Sequence, residues 1–255
     1  MIKNIKFTGE RMIPGQVEDD LYNEHLSRYL FAKRFLKGKV VLDAGCGVGY
    51  GSYEARKTAK KIYGIDISKE SIGYAKKKYR SKNVLFEVGD VKKLRFKDNA
   101  FDAILSFEVI EHLSRQDVYL NEMKRVLKKK GLFFVSTPNK IYYSKTRQEK
   151  NPFHVKEFNL KEFNGILSSH FKYVSIYNQN HNAIIHISKL KQGASPADIE
   201  VREGSKISPI MDNYFIAVCS NSPISGKLER DFIYLPHTGN FVYERTKWAL
   251  RLDKE

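Results

Sequence analysis

The sequence predicts an α/β fold in which helices cover both faces of a mostly parallel sheet. Short apolar segments alternate along the chain with segments whose apolar residues recur at helical spacing. The first strand runs directly into a glycine-rich turn within 40–51 (VVLDAGCGVGYG), and Asp43, Asp66 and Asp90 each stand where a predicted strand ends. Because the carboxyl ends of parallel strands meet at one edge of a sheet, the three aspartates predict a ligand cleft there.

The predicted elements follow one another in a regular order. Strands are predicted at 40–43, 61–67, 84–88, 101–107, 131–137, 173–177 and 214–219. Helices are predicted at 21–36, 50–58, 69–79, 116–129 and 158–171. We expect 140–151 to be a loop and 180–212 to be an insertion that serves as a lid or binding element. The chain is therefore divided into an N-terminal arm and helix (1–36), one domain (37–221) and a tail (222–255).

Composition narrows the class of protein. The 255 residues contain no run of 18 apolar residues, and charged residues are frequent among the first twenty, so we expect a cytoplasmic protein without a signal peptide or transmembrane segment. Two isolated cysteines, Cys46 and Cys219, predict neither a disulfide framework nor a zinc site. The net charge of +16 attracts polyanions, although short lysine runs at predicted helix ends explain much of it.

The glycine turn distinguishes between two classes of ligand. Its G-x-G-x-G spacing differs from the G-x-G-x-x-G of dinucleotide sites. Asp43, two residues before Gly45, would repel a pyrophosphate and attract the ammonium of an amino acid. Asp66 follows Gly45 by 21 residues, the distance at which a strand-end carboxylate reaches the ribose of an adenosine. The pattern therefore predicts an adenosyl amino acid as ligand.

A second constellation follows the fourth strand, in the segment FEVIEHL. Glu108, Glu111 and His112 have the spacing i, i+3 and i+4, which predicts that they share one face of a helical turn beside the ligand edge. Two carboxylates so close together favour a cation between them, so one interpretation is a Mg²⁺ or Mn²⁺ site completed by His154. The other interpretation needs no metal, with Glu111 orienting the substrate and His112 acting as general base.

Several segments together resemble the class I S-adenosylmethionine-dependent methyltransferases. They are DAGCGVGYG, YGIDIS, GDV, FDAILSFEVIEHL and KRVLKKKGLFFVSTPN. The resemblance implies a Rossmann-like, doubly wound seven-stranded sheet of order 3-2-1-4-5-7-6 with an antiparallel last strand, and S-adenosylmethionine as cofactor. It implies contacts to the methionine end from Asp43, Gly45, Cys46, Gly47 and Gly49; to the ribose from Asp66 and Ile67; to the adenine from Asp90 and Val91; and to the sulfonium from Ser106 and Phe107.

The segment EVIEHL is also similar to the metal-binding stretch of two narrower groups. These are the ubiquinone-pathway O-methyltransferases and the small-RNA 3′-terminal 2′-O-methyltransferases. In the RNA enzymes a later His-x-x-Glu-aromatic motif follows, similar to His154, Glu157 and Phe158 here. This similarity implies His154 as a further ligand.

The outer segments resemble a different group, the methyltransferases encoded with bacterial surface-polysaccharide (O-antigen) enzymes. The similar stretches are FTGERMIPG, EHLSRYLFA and NPFHVKEF. The resemblance implies that Arg11, with His25 or Arg28, belongs to a lid over the cofactor.

We expect O-methyl transfer to a hydroxyl or phosphate oxygen on a sugar or polysaccharide, with Lys and Arg side chains favouring an anionic acceptor. The alternatives are a metal-dependent RNA 2′-O-methyltransferase, which would lack a recognisable RNA-binding module, a quinone-type O-methyltransferase, and a non-catalytic cofactor-binding scaffold.

Overall fold

The computed structural model describes residues 5, 11–142, 151–180 and 213–224, and a seven-stranded sheet runs through the centre of this part. The strands are β1 Val40–Ala44, β2 Lys61–Asp66, β3 Val84–Val88, β4 Phe101–Phe107, β5 Leu127–Pro138, β6 Tyr173–Gln179 and β7 Tyr214–Ser220. Their order is β3-β2-β1-β4-β5-β7-β6. Strands β1 to β5 pair in parallel, whereas β7 is antiparallel to both of its neighbours. The predicted order and the antiparallel last strand are confirmed.

Helices pack on both faces of the sheet, as predicted. They are α1 Asp19–Lys33, α2 Tyr50–Ala55, α3 Lys69–Lys78, α4 Gln116–Val126 and α5 Leu160–Ser168, with a short 3₁₀-helix at Ile110–His112. Alternate strand residues point to opposite faces: Val41 joins the core beneath α1, α2 and α3, and Leu42 joins the core beneath α4 and α5. Burial on both faces explains why the strands read as continuous apolar runs.

The junction between α4 and β5 differs from the prediction. The helix ends at Val126 instead of 129, and β5 begins at Leu127. Phe101 pairs with Leu127 but Ala103 pairs with Leu132, so the strand contains a bulge between these two pairs. The predicted helix end was wrong because strand pairing with β4 overrides the helical spacing of the residues at 126–127.

The segments that follow β5 differ in part from the prediction. Residues 140–142 form a helical turn, where a loop was predicted, and 143–150 lie outside the described residues. Helix α5 begins two residues later than predicted, because Asn159 caps it through reciprocal hydrogen bonds with Glu162.

Apart from Asn180 and residues 222–224, the predicted insertion and tail lie outside the described part. Among the described helices, none has the length and apolar character needed to cross a bilayer.

Candidate active site

The turn between β1 and α2 depends on glycine for its backbone path. Gly45, Gly47 and Gly49 have φ values of +83°, +53° and +88°, which side chains rarely adopt. A Cβ on Gly49 would lie 2.7 Å from the ring of Phe86, and one on Gly45 would collide with Val109. The chain therefore needs glycine here both for conformation and for space, and it places main-chain groups at the cleft.

Asp43 lies beneath this turn and not in the open cleft. Its carboxylate is fully buried and accepts hydrogen bonds from Ser52 Oγ (2.5 Å) and Tyr29 Oη (3.3 Å). Burial raises the pKa of Asp43 to about 7, and the charge of Asp66 adds to this although the two hydroxyls oppose it. Asp43 thus ties the turn to α1 and α2, and its charge reaches a ligand only through the turn.

Asp66 and the residue after it face the cleft from the end of β2. The Asp66 carboxylate accepts hydrogen bonds from the main-chain N–H groups of Gly47 (2.9 Å) and Ser68 (2.8 Å). Ile67 is 72% exposed, the largest exposure among the large apolar side chains described. A carboxylate and an exposed apolar side chain at one strand end form a surface suited to a ribose and an adenine ring.

The neighbouring strand ends complete this edge. Asp90 follows β3 and accepts a hydrogen bond from the Lys92 N–H (2.8 Å), while Val91 is buried. Because β3, β2 and β1 are adjacent, Asp90, Asp66 and Asp43 lie at the carboxyl ends of three neighbouring strands, as predicted.

Three further predicted cofactor residues are buried at or beside the turn: Ser106 and Phe107 on β4, and Cys46 within the turn. Ser106 is buried and donates a hydrogen bond to the Ala44 carbonyl (2.8 Å), which ties β4 to β1. The ring of Phe107 meets that of Tyr29 edge to face at 5.0 Å. Cys46 is also buried, and burial raises the pKa of its thiol well above the ordinary value. The thiol therefore contributes packing and no nucleophile.

The N-terminal arm reaches the same edge. Arg11 donates hydrogen bonds to Glu70 Oε2 (2.9 Å) and Ser68 Oγ (3.2 Å) at the start of α3. From α1, the Tyr29 ring covers Gly51 so closely that any side chain at position 51 would collide with it. The structure thus brings the arm and α1 against the cleft.

Glu108 does not lie where the sequence spacing placed it. The predicted helical face was wrong, because the 3₁₀-helix spans only Ile110–His112 and Glu108 precedes it with φ +56°. Its Oε1 accepts a hydrogen bond from Ser136 Oγ (2.6 Å) and lies 3.6 Å from Arg28 Nη1. A left-handed non-glycine residue is strained, and such strain is concentrated at functional sites.

Arg28 is the fully buried cation beside Glu108. Its Nε donates to Gln179 Oε1 (2.7 Å), its guanidinium stacks 4.3 Å from the Tyr214 ring centre, and Nη2 lies 3.5 Å from Glu24 Oε1. Burial opposes the charged form, but Glu108 and Glu24 raise the pKa of Arg28 above its ordinary value. The pKa of His25 is held well below its usual range, mainly by burial and in addition by the nearby charge of Arg28.

The sequence named Arg28 only as an alternative lid residue. Its position at the junction of α1, β4, β6 and β7 was missed, because these partners lie far away along the chain. A basic residue on the apolar face of α1 was the one available signal.

Glu111, His112 and His154 form a tight cluster at the end of β4. One ligand atom from each lies within 4.8 Å of the others. Glu111 is fully buried, and its Oε1 lies 3.8 Å from His112 Nε2 without a hydrogen-bond partner. Burial raises the pKa of Glu111 well above its usual range, and the charge of Glu108 adds to this. The charge of Arg28 and a hydrogen bond from Thr137 Oγ1 (3.3 Å) oppose this rise only in part.

The two histidines are oriented by hydrogen bonds from outside the cluster. Nδ1 of His112 pairs with the Phe153 carbonyl (3.1 Å), and Nδ1 of His154 pairs with Glu157 Oε1 (2.9 Å). Metal-binding histidines are oriented in this way by oxygen acceptors. The structure thus brings three of the four predicted ligands together, with His154 Nε2 also 3.1 Å from Asn151 Nδ2, whereas Glu108 stays with Arg28 and Ser136.

Known proteins share both the sequence pattern and the fold. The family described as "Methyltransferase domain" matches residues 35–203. A probable S-adenosylmethionine-dependent methyltransferase of Mycolicibacterium smegmatis is 31% identical over 205 residues, covering 80% of this chain and 75% of the relative. The chain belongs to the S-adenosylmethionine-dependent methyltransferases. S-adenosylmethionine is accordingly the cofactor, and the protein is a methyl-transferring enzyme.

A second sequence similarity is shorter, and a solved structure shares the fold. The ubiquinone biosynthesis O-methyltransferase of Pelagibacter ubique is 37% identical over 112 residues, which cover 43% of this chain and 46% of the relative. The PH0226 protein from Pyrococcus horikoshii has the same fold, with a TM-score of 0.58, 21% identity, and coverage of 84% of this chain and 95% of that protein.

Proposed function

We propose that this methyltransferase acts on a hydroxyl oxygen of its acceptor, with the cluster of Glu111, His112 and His154 as its reaction centre. The observation that carries the proposal is the buried Glu111 Oε1, which has no hydrogen-bond partner and faces His112 Nε2 at 3.8 Å. Leaving a buried carboxyl oxygen unpaired is costly, and a catalytic role or a bound ion would explain such an atom.

We propose that the cofactor lies along the strand ends of β1, β2 and β3. Residues assigned to it by motif position are Arg11, Asp43, Gly45, Cys46, Gly47, Gly49, Asp66, Ile67, Asp90, Val91, Ser106 and Phe107. The exposed Ile67 and the cleft-facing Asp66 support this placement directly, whereas Asp43 supports it from beneath the turn. Residues 1–36 would then form the lid and 37–221 the catalytic domain.

The protein has to align the acceptor and remove its proton. The bound cofactor supplies a methyl group on a sulfonium, which is already an activated electrophile. His112 donates from Nδ1 to the Phe153 carbonyl, so Nε2 carries the lone pair and can accept the hydroxyl proton. The imidazolium that results would lie 3.8 Å from Glu111 Oε1 and would add positive charge beside this buried group.

A divalent cation is a second way to provide that charge. Glu111, His112 and His154 would hold it, with Glu157 and the Phe153 carbonyl orienting the two rings. A cation at this position would lower the pKa of a coordinated acceptor hydroxyl, so that the hydroxyl proton could pass to solvent water instead of to His112. Glu108 would remain an anion beside the site, paired with Arg28.

A sugar hydroxyl is the acceptor that we favour. This preference rests on the resemblance of the outer segments to polysaccharide-associated methyltransferases. The O-methyltransferase name of the Pelagibacter relative supports an oxygen acceptor. Lys140 and Lys156 are exposed in the segments that border the cluster and would suit an anionic glycan.

The experiment is tritium transfer from methyl-labelled S-adenosylmethionine to separate pools of glycans, RNA and quinols, with products identified by mass spectrometry. We expect O-methylated glycan from the wild type, a loss of at least about a hundredfold in rate for His112→Ala, and no loss for His170→Ala. His170 serves as the control because it lies after α5, where its Nδ1 is 2.9 Å from the Ile166 carbonyl oxygen, and it is not part of the cluster. Methyl transfer to nitrogen or carbon, or a His112→Ala variant as active as wild type, would contradict the proposal.

A further inference from the structure

An apolar groove lies between α5 and the edge strand β6, outside the site described above. Ile141, Leu160, Val174 and Ile176 line it, and its volume is about 550 Å³. Val174 and Ile176 are two residues apart on β6 and therefore point to the same face. The size lies within the range of small-molecule sites.

Exposed apolar side chains are frequent in the described segments that border this groove and the reaction centre. Four of the seven large apolar side chains exposed in the described part lie within 141–160, namely Ile141, Phe153, Val155 and Leu160. Phe153 and Val155 flank His154 directly in the sequence. A concentration of exposed apolar side chains in the segments beside the candidate site indicates a binding surface.

We call Ile141, Phe153, Val155 and Leu160 the apolar strip. Main-chain hydrogen bonds hold this strip at both ends. At the cluster, the Val155 and Lys156 N–H groups donate to the Glu111 carbonyl at 2.9 and 3.0 Å. Near the groove, the Lys140 N–H donates to the Phe158 carbonyl at 2.9 Å, beside a bridge between Asn139 and Phe158. The strip and the proposed reaction centre are thus parts of one built surface.

We propose that the methyl acceptor is an amphiphile, whose apolar chain lies in the groove while its hydroxyl-bearing head lies at His112. The inference rests on the proposed function and names the class of its substrate. The groove supports a hydrocarbon chain because four of its seven lining residues are aliphatic; the other three are Asn159, Lys161 and Asn164. The exposed Lys140 and Lys156 border the strip and suit a head group that carries negative charge.

A homologous series of alkyl glucosides, used below their micelle concentrations, tests the chain directly. Binding of butyl and octyl glucoside to the full-length protein with S-adenosylhomocysteine is measured by calorimetry. Each methylene removed from water is worth up to about fourfold in affinity, so we expect octyl glucoside to bind at least about tenfold more tightly than butyl glucoside.

Surface variants locate the chain. Leu160→Asp and Ile141→Asp should each abolish the preference for octyl over butyl glucoside, because both side chains are exposed in the groove lining. Leu85→Asp is the matched control, since Leu85 is 40% exposed on β3 at the opposite edge of the sheet. It should leave the preference unchanged, and affinity for S-adenosylhomocysteine should be retained in all three variants.

Equal affinities of the wild type for the two glucosides would overturn the inference. So would a preference that survives both groove variants, or one that Leu85→Asp removes equally. The binding readout requires no methyl transfer. Chain-length-dependent binding without any O-methylated product would therefore contradict the proposed function and leave the groove assignment standing.

Discussion

Nη1 of Arg28 lies 3.6 Å from Oε1 of Glu108, and this pair joins the N-terminal helix to the end of β4 inside the protein. Arg28 is fully buried and the Glu108 side chain is 14% exposed, so solvent screens the pair weakly. The same guanidinium holds Gln179 at the end of β6 and stacks on Tyr214 at the start of β7. Arg28 therefore joins four elements: α1, the end of β4, β6 and β7.

Removing this cation should destabilise the fold. Arg28→Met leaves Glu108 and Glu24 without their buried partner, and we expect a loss of about 3–5 kcal/mol in the free energy of unfolding. Arg28→Met combined with Glu108→Gln should recover at least about 1 kcal/mol, measured by urea unfolding in a double-mutant cycle. Arg115→Met, at a side chain 68% exposed, is the control and should change stability by less than about 0.5 kcal/mol. A double variant no more stable than Arg28→Met would contradict the pairing.

Cation binding should distinguish the two interpretations of the cluster. If Glu111, His112 and His154 hold a divalent ion, Glu111→Gln and His154→Ala should each weaken Mn²⁺ binding by at least about tenfold, measured by electron paramagnetic resonance. Glu108→Gln should weaken Mn²⁺ binding less than either of these variants, because Glu108 supplies no ligand atom to the cluster and acts only through its charge. Should the wild type take up no Mn²⁺, His112 acting as the base would be the surviving interpretation. His170→Ala controls for loss of a histidine elsewhere.

Asp43 should make stability depend on pH. Its folded pKa, raised by burial to about 7, exceeds the ordinary value of 3.8, so the folded state binds this proton more tightly than the unfolded chain. The stabilising contribution is therefore complete below pH 3.8 and is lost as the pH rises through about 7. Relative to Asp43→Asn, the wild type should lose about 2–3 kcal/mol between about pH 5 and 8 in urea unfolding.

The control for this pH dependence is Asp117→Asn, since the Asp117 side chain is 63% exposed. It should show the wild-type pH profile. Parallel profiles for wild type and Asp43→Asn would mean that the buried carboxyl does not titrate in this range.

Asp66 should contribute to cofactor affinity through both its charge and its hold on the turn. Its carboxylate accepts the Gly47 N–H at 2.9 Å, and charged hydrogen bonds are worth about 1.5–3 kcal/mol. Asp66→Ala should therefore weaken S-adenosylhomocysteine binding by about 10- to 100-fold in calorimetry. An unchanged affinity would remove Asp66 from the ribose site. Asp117→Ala serves as the control and should bind like the wild type.

Much of the fold was predictable because its signals are local. The strands at 84–88 and 101–107 were predicted with the boundaries that the structure shows, since each is a short apolar run ended by polar or glycine residues. The end of α4 was mispredicted, because Leu127 suits either a helix or a strand and only pairing with Phe101 decides between them. The groove beside β6 left no pattern in the sequence, since its walls come from separate elements.

The sequence by itself determined the order of strands and helices along the chain, the glycine turn and the class of cofactor. These follow from periodicity, from backbone conformation and from residues at strand ends, all of which act over a few neighbouring positions. Only the tertiary structure decided that Glu111, His112 and His154 meet while Glu108 turns toward Arg28 and Ser136. Helical spacing could not show this, because the direction of a carboxylate depends on charges and hydroxyls that folding brings from distant parts of the chain.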